Sequence, residues 1–210
     1  MLKILIADDH PVFRRGVRQI IAETQDMVVA DEASNGFEVL KKIREDDYDV
    51  VLLDISMPGE SGVDVLKQLR NEKPRLPVLM LTMHPEEQYA VRVLKAGASG
   101  YLTKESAPDE LVAAIRKVSK GRKYVSSVLA EKLATIVQKS DKELPHENLS
   151  DREYQVMCMI ASGKTVTEIA KELSLSVNTV STYRSRILDK MKMKSNPELT
   201  HYAIKNQLVE

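Results

Sequence analysis

The hydrophobic pattern changes character along the chain. Up to about residue 121, short apolar runs rich in β-branched residues alternate with stretches of helical periodicity. The runs predict strands at Lys3–Ala7, Met27–Ala33, Asp49–Leu53, Val78–Leu81 and Gly100–Leu102. Between them the pattern predicts helices at Pro11–Glu23, Gly36–Arg44, Gly62–Asn71, Glu86–Lys95 and Ala107–Lys120. Val63, Leu66 and Leu69 share one face of the third helix, and Leu111, Ile115 and Val118 one face of the fifth, for which Ser106 is the expected cap. Strands that alternate with helices make a parallel sheet covered on both faces, which explains why the strands are nearly continuous in apolar residues.

Beyond Gly121 the strand signal stops. An amphipathic stretch from Val125 to Lys139 carries Leu129, Leu133, Ile136 and Val137 at helical spacing. A polar segment with Pro145 follows and reads as a linker. The last segment predicts four short helices. Ser150 with Glu153, and Thr165 with Glu168, have the spacing of the capping box, in which each end satisfies a backbone N–H of the other. Ser176 is positioned to cap the third of these helices, Gly163 to close the first, and Pro197 to open the fourth. The expected organisation is therefore an α/β domain over 1–121, a linker with an amphipathic helix over 122–147, and an all-α domain over 148–210.

Composition narrows little. Lys+Arg and Asp+Glu balance at 31 each, so a nucleic-acid footprint has to be local. One cysteine, Cys158, excludes an internal disulfide; it sits in an apolar run and reads as a small buried hydrophobe. The apolar start of the chain, ended by Asp8 and Asp9, is too short for a membrane span or a signal core, so a cytoplasmic location and no membrane partner are expected.

Candidate chemistry gathers at the strand ends. Ligands of open parallel sheets bind beyond the carboxyl ends of the strands. Asp8 and Asp9 follow strand one, Asp54 strand three, Thr82 strand four and Lys104 strand five. Clustered carboxylates favour a hard divalent cation with oxygen ligands, and Mg²⁺ suits them. A carboxylate can take a phosphoryl group as an acyl phosphate, while a cation and a lysine neutralise the transferring charge. The Thr82 hydroxyl can donate to a phosphoryl oxygen.

These residues carry a resemblance. Ile6-Ala7-Asp8-Asp9-His10, Leu53-Asp54-Ile55-Ser56-Met57-Pro58-Gly59 with Gly62, Leu81-Thr82 and Gly97–Lys104 resemble the receiver domains of two-component signalling over roughly the first 120 residues. The resemblance implies the flavodoxin-like strand order 2-1-3-4-5 and phosphorylation of Asp54 by a sensor histidine kinase. It implies Mg²⁺ held by Asp9, Asp54 and the Ser56 carbonyl, with Asp8 acting through water. Thr82 and Lys104 would bind the phosphoryl oxygens, and Tyr101 would be the aromatic switch coupled to the threonine. Two positions depart from the usual pattern: Met83 stands where many receivers carry a small residue, and Glu105 where a proline often follows the lysine. His10 and His84 read as loop residues rather than phosphodonors.

The C-terminal segment Thr165–Leu173, a turn at Ser174-Leu175, then Ser176–Met191 has the spacing of a helix-turn-helix. Val177, Val180, Ile187, Leu188 and Met191 gather on one side of its second helix; Asn178, Ser181, Thr182, Ser185 and Asp189 gather on the other. Such short polar side chains let a helix sit deep in a major groove. Arg184, Arg186, Lys190, Lys192 and Lys194 against Asp189 alone supply the local basic excess. Arg186 is a phosphate-contact candidate, whereas Arg184 lies nearer the apolar side and fits a packing role equally well.

Leu149–Glu153, Ala161–Thr165, Glu168-Ile169-Ala170 and Ser176–Tyr183 resemble the LuxR-type helix-turn-helix, and the whole chain is similar to response regulators of the NarL/FixJ class. That resemblance implies base contacts by Ser181, Thr182 and Ser185. It implies phosphate contacts by Lys164, Thr165, Thr179 and Arg186, and a DNA-bound homodimer contact through Pro197–Asn206. Dimers read half-sites a helical turn apart, so a repeated double-stranded target is expected. Two rival readings stand beside this one, of which a DNA-binding regulator independent of phosphorylation stays open as the alternative. A phosphohydrolase would need a D-x-D pair after strand one, where Asp8-Asp9 stands, so no enzyme is expected. A regulator indifferent to phosphate would not need all five pocket residues.

Overall fold

The computed structural model describes residues 1–126, 129–131 and 144–209. The chain divides into two compact units, Met1–Ala130 and Glu131–Glu210.

In the first unit, five parallel strands form one sheet in the order β2-β1-β3-β4-β5: β1 (Leu2–Ala7), β2 (Met27–Ala33), β3 (Val50–Leu53), β4 (Val78–Thr82) and β5 (Gly100–Thr103). The helices are α1 (Pro11–Ala22), α2 (Gly36–Glu45), α3 (Gly62–Glu72), α4 (Glu86–Lys95) and α5 (Pro108–Ser119). Each lies within two residues of its expected bounds. Alternate strand residues point to opposite faces. Ile4, Ile6, Val50, Leu52, Leu79 and Leu81 pack with Val17 and Ile21 of α1 and with Leu111, Ile115 and Val118 of α5. Leu5, Val51, Leu53, Val78 and Met80, on the other face, are equally buried. Each such side chain removed from water contributes about 1.5–3 kcal/mol, which is why both faces must be covered.

Two details differ from expectation. Ser106 does not cap α5: the N-cap is Ala107, with no side-chain bond, and Pro108 starts the helix. The backbone N–H of Ser106 instead donates to the Thr103 carbonyl, closing the turn after β5. The chain expected to become linker at 122 also stays on the sheet. Tyr124 forms a parallel bridge to Gly100, its N–H donating to the Ser99 carbonyl and its carbonyl accepting from the Tyr101 N–H. Gly100 permits this approach, since a Cβ there would lie 2.6 Å from the Tyr124 oxygen. Leu129 is buried. Leu133, Ile136 and Val137 of the expected amphipathic helix lie outside the described residues.

The second unit holds a 3-10 turn (Pro145–Asn148) and helices α6 (Asp151–Ala161), α7 (Val166–Glu172), α8 (Val177–Met191) and α9 (Asn196–Lys205). Its core draws on Val156, Met157, Ile160, Ile169, Val180, Ile187 and Leu199, and Cys158 is a free, buried thiol. Both capping boxes form, Ser150 with Glu153 and Thr165 with Glu168, and Ser176 caps α8. Gly163 ends α6 at a φ of +85°, a left-handed conformation that costs glycine little. Pro197 lies in the first turn of α9, which begins one residue earlier at Asn196. His146, in that 3-10 turn, lies 2.8 Å by its Nδ1 from the Tyr202 hydroxyl. No described helix is long and apolar enough to cross a membrane.

Candidate functional site

The sheet itself assembles the first site. The Asp54 N–H donates to the Ala7 carbonyl, the Asp8 N–H to Ala33 and the Lys104 N–H to Thr82, so the strand ends are locked side by side. Asp8, Asp54 and Thr82 are buried, and Asp9 is half-buried. Lys104 Nζ lies 2.6 Å from Asp8 Oδ2 and 2.7 Å from Asp54 Oδ2, and 4.8 Å above the Phe13 ring.

Burial pushes the Asp54 carboxyl above the usual carboxylate range, aided by the Asp8 charge; Lys104 and the Ser56 backbone N–H pull the other way. Burial also works against the Lys104 charge, but Asp54 and Asp8 outweigh it and hold that ammonium above its ordinary pKa. The lysine is therefore firmly charged between two carboxylates.

The remaining oxygens are less well served. Asp54 Oδ1 and Asp9 Oδ1 are buried without a hydrogen-bond partner. His10 Nδ1 lies 2.8 Å from Asp9 Oδ1, but without hydrogen-bond alignment. Buried polar atoms in that state are costly. Acceptor oxygens from Asp8, Asp9 and Asp54 meet, with a His10 ring nitrogen, within 4.8 Å of one another. A hard, oxygen-seeking cation fits this donor set, and the imidazole, 65% exposed, is its least suited member.

The other expected pocket residues are tied together through His84. Thr82 Oγ1 accepts from the His84 N–H at 3.5 Å. The buried Tyr101 donates its hydroxyl to the His84 carbonyl at 2.8 Å. The His84 ring sits 4.6 Å from that of Tyr89, and its Nε2 lies 2.9 Å from Ser56 Oγ. Met83 is 63% exposed. Gly62 closes against the loop after β3, where a Cβ would overlap the Asp54 carbonyl oxygen.

Sequence reasoning missed four of these neighbours. Phe13 lies beneath Lys104, and Arg14 donates to the Asp8 carbonyl while paired to Glu32. Both sit on α1, whose start beside Asp9 was the available signal. His10 and His84 do lie in loops, but each touches the pocket through its ring. No sequence pattern announces the Ser56–His84 contact, which spans 28 residues.

In the second unit, Asn178, Ser181, Thr182, Ser185 and Asp189 form one exposed stripe on α8, with Arg186 beside it. Thr182 bonds its hydroxyl back to the Asn178 carbonyl. Val177, expected on the apolar side, is 46% exposed, because it opens the first turn beyond the packed part of the helix. Thr179 caps with Ser176, and Thr165 holds Glu168 at the start of α7. Several basic residues already have partners. Lys164 pairs with Glu172, Arg184 with Asn196, and Lys190 with the buried Glu153 at 2.6 Å. Arg184 thus takes its packing alternative, and Lys190 serves the α6 cap, whereas Arg186 stays exposed.

An acidic pocket at the strand ends of a doubly wound sheet, in a chain that also carries a helix-turn-helix, defines a class, and comparison with known families agrees. Residues 4–116 match the response regulator receiver domain, and residues 147–203 match the bacterial regulatory proteins of the luxR family. The chain belongs to the two-component response regulators of the NarL/FixJ class, with a LuxR-type DNA-binding domain. It is 39% identical to the response regulator UvrY of Escherichia coli K12 over 99% of this chain and 96% of that one. It is 37% identical to the response regulator GacA of Pseudomonas aeruginosa over 100% and 99%. Among solved structures it resembles RcsB of Salmonella enterica serovar Typhimurium, bound to promoter rprA in the presence of the phosphomimetic BeF3⁻. That likeness has a TM-score of 0.64 at 27% identity and covers 96% of this chain and 98% of that one.

Proposed function

We propose that the protein is a phosphorylation-controlled transcriptional regulator in which Asp54 accepts a phosphoryl group from a sensor histidine kinase. One observation carries this reading: Asp54 Oδ2 is held by Lys104, while Oδ1 is buried without a hydrogen-bond partner in a carboxylate whose oxygens gather with those of Asp8 and Asp9. Asp54 Oδ1 attacks phosphorus as the bond to the donor nitrogen breaks, leaving an acyl phosphate. Asp9, Asp54 and the Ser56 carbonyl would hold Mg²⁺, with Asp8 acting through water. Bound there, the cation would supply positive charge against that of the transferring group. Lys104 exchanges a carboxylate for a phosphoryl oxygen, and Thr82 turns its hydroxyl toward another. Phosphorylation adds a charge of roughly −1.5 to −2. Thr82 and Tyr101, both tied to His84, carry that change to the α4–β5 face.

The same proposal assigns the C-terminal unit, as residues 148–210, to double-stranded DNA, the partner of its family. Asn178, Ser181, Thr182 and Ser185 face base edges in the major groove. Lys164, Thr165, Thr179, Arg186 and Lys190 lie along the phosphates, the two lysines by releasing Glu172 and Glu153. Phosphorylation promotes a homodimer, with α9 as the contact on DNA; solved RcsB structures include dimers bound to DNA. A regulator of chromosomal DNA works in the cytoplasm.

The test treats full-length protein with acetyl phosphate and Mg²⁺ and follows intact mass, alongside a DNA titration at fixed salt. One phosphoryl group is expected on wild type and none on Asp54→Ala, with tighter DNA binding only in the former. Wild type that gains no mass yet binds DNA would be a regulator independent of phosphorylation.

A further inference from the structure

Asp9 Oδ1 is buried in the acidic pocket without a hydrogen-bond partner, so no such bond fixes where that oxygen points. The backbone on either side of Asp9 supplies the aim instead. The peptide before it is held through the Asp8 carbonyl, which accepts from Arg14 Nη1 at 2.7 Å. The peptide after it is held through the His10 N–H, which donates to Asp8 Oδ1 at 2.8 Å. Arg14 stands in the first turns of α1, and its Nε donates to Glu32 Oε2 of β2 at 2.8 Å. Arg14 is 16% exposed and Glu32 29%. One planar guanidinium thus ties the end of β1 to the neighbouring strand by two bonds in fixed relation, which an ammonium cannot do. A guanidinium beside a cation site repels the cation, and Glu32 offsets that repulsion by pairing with Arg14.

We propose that Arg14, oriented by Glu32, is a positioning residue that sets the divalent-cation affinity of the pocket; this rests on the reading of Asp9 and Asp54 as cation ligands above. Arg14 bonds a carbonyl and no carboxylate of the site, so it acts through the Asp8–Asp9 peptide. With that peptide fixed, Asp9 keeps its carboxylate turned toward those of Asp8 and Asp54, within 4.8 Å. A group that orients a metal ligand from outside is worth about tenfold to a hundredfold in metal affinity. Charge alone acts in the opposite direction: removing a cation beside the site tightens the binding of another. The two accounts of Arg14 therefore differ in sign.

The test titrates full-length protein with Mn²⁺, a hard cation suited to the same oxygen ligands, and counts the free ion by electron paramagnetic resonance, with Mg²⁺ as competitor. Arg14→Gln weakens Mn²⁺ binding about tenfold or more. Arg14→Lys, which keeps the charge and loses the fork, weakens it as well. The double variant Arg14→Gln with Glu32→Gln binds no more weakly than Arg14→Gln, because Glu32 acts through Arg14. A further fall in the double variant would remove Glu32 from the brace. Should circular dichroism show Arg14→Gln unfolded, Arg14→Lys carries the test. Mn²⁺ affinity at or above that of wild type in either folded Arg14 variant would overturn the brace alone. Wild type whose Mn²⁺ uptake is matched by Asp9→Asn defeats the cation reading first.

Discussion

At the scale of single residues, the pocket is a problem of charge burial solved by one lysine. Two buried carboxylates repel, and Lys104 answers both from a position 4% exposed. The glycine beneath matters as much. Gly62 leaves no room for a Cβ against the Asp54 carbonyl, because its own N–H donates to Ile55 and pins α3 to the loop. Gly62→Ala has to push that loop outward, and overpacking of this kind costs about 1–3 kcal/mol. We expect a lower melting temperature together with slower phosphorylation from acetyl phosphate; full-rate phosphorylation in a destabilised variant would separate the loop's position from its chemistry. The five pocket residues were legible because strand ends converge by topology. Phe13, His10 and His84 were not, because their roles depend on ring placement that no spacing encodes.

At the scale of elements, caps decided most of what was legible. The boxes at Ser150 and Thr165 join a side-chain signal to a fixed offset of three residues, and both form. Ser106 failed because Pro108, whose φ is preset for a first helical turn, starts α5 two residues later, and the serine closes a turn instead. The first box extends through Glu153 to Lys190 of α8. Burial alone would raise the Glu153 pKa, but Lys190 and Ser150 hold it below its ordinary 4.5. A depressed acid stabilises the fold above its ordinary pKa and loses that contribution as pH falls through the depressed value. The stability of the C-terminal unit should therefore fall on acidification below about pH 4.5, and Glu153→Gln should flatten that dependence. Ser150→Ala should cost about 1 kcal/mol at neutral pH. Melts followed by helical circular dichroism across pH 3 to 7 would read both, and an unchanged acid slope in Glu153→Gln would remove Glu153 from the account.

At the scale of the whole molecule, the chain carries two separate cores with different logic. Sheet topology makes the first site, and one helix face makes the second. A balanced total charge concealed the second site, and only the run from Arg184 to Lys194 marked it. Structure then divides that run into Arg184 and Lys190, already bonded, and Arg186, Lys192 and Lys194, which are exposed. Because each unit has its own core, residues 1–130 alone should accept one phosphoryl group, and residues 144–210 alone should bind DNA. The DNA affinity of the latter should fall with salt at a slope of about 0.9 per phosphate contacted, less by about one in Arg186→Ala. A fragment 144–210 that is unfolded in isolation would defeat that independence.

Tyr124 has a consequence beyond the sheet it joins. An uncapped border strand recruits strangers: its free amides template the addition of other chains, the first step toward aggregates. At the start of β5 two of those groups are already bonded, the Tyr101 amide and the Ser99 carbonyl both going to Tyr124. On the opposite border, β2 carries Asp31 and Glu32, charged side chains paired with Lys42 and Arg14, and charged residues on an edge strand disfavour the addition of another chain. The chain's own continuation thus covers part of one flank and charged side chains mark the other, which leaves nascent molecules less rim to adhere to.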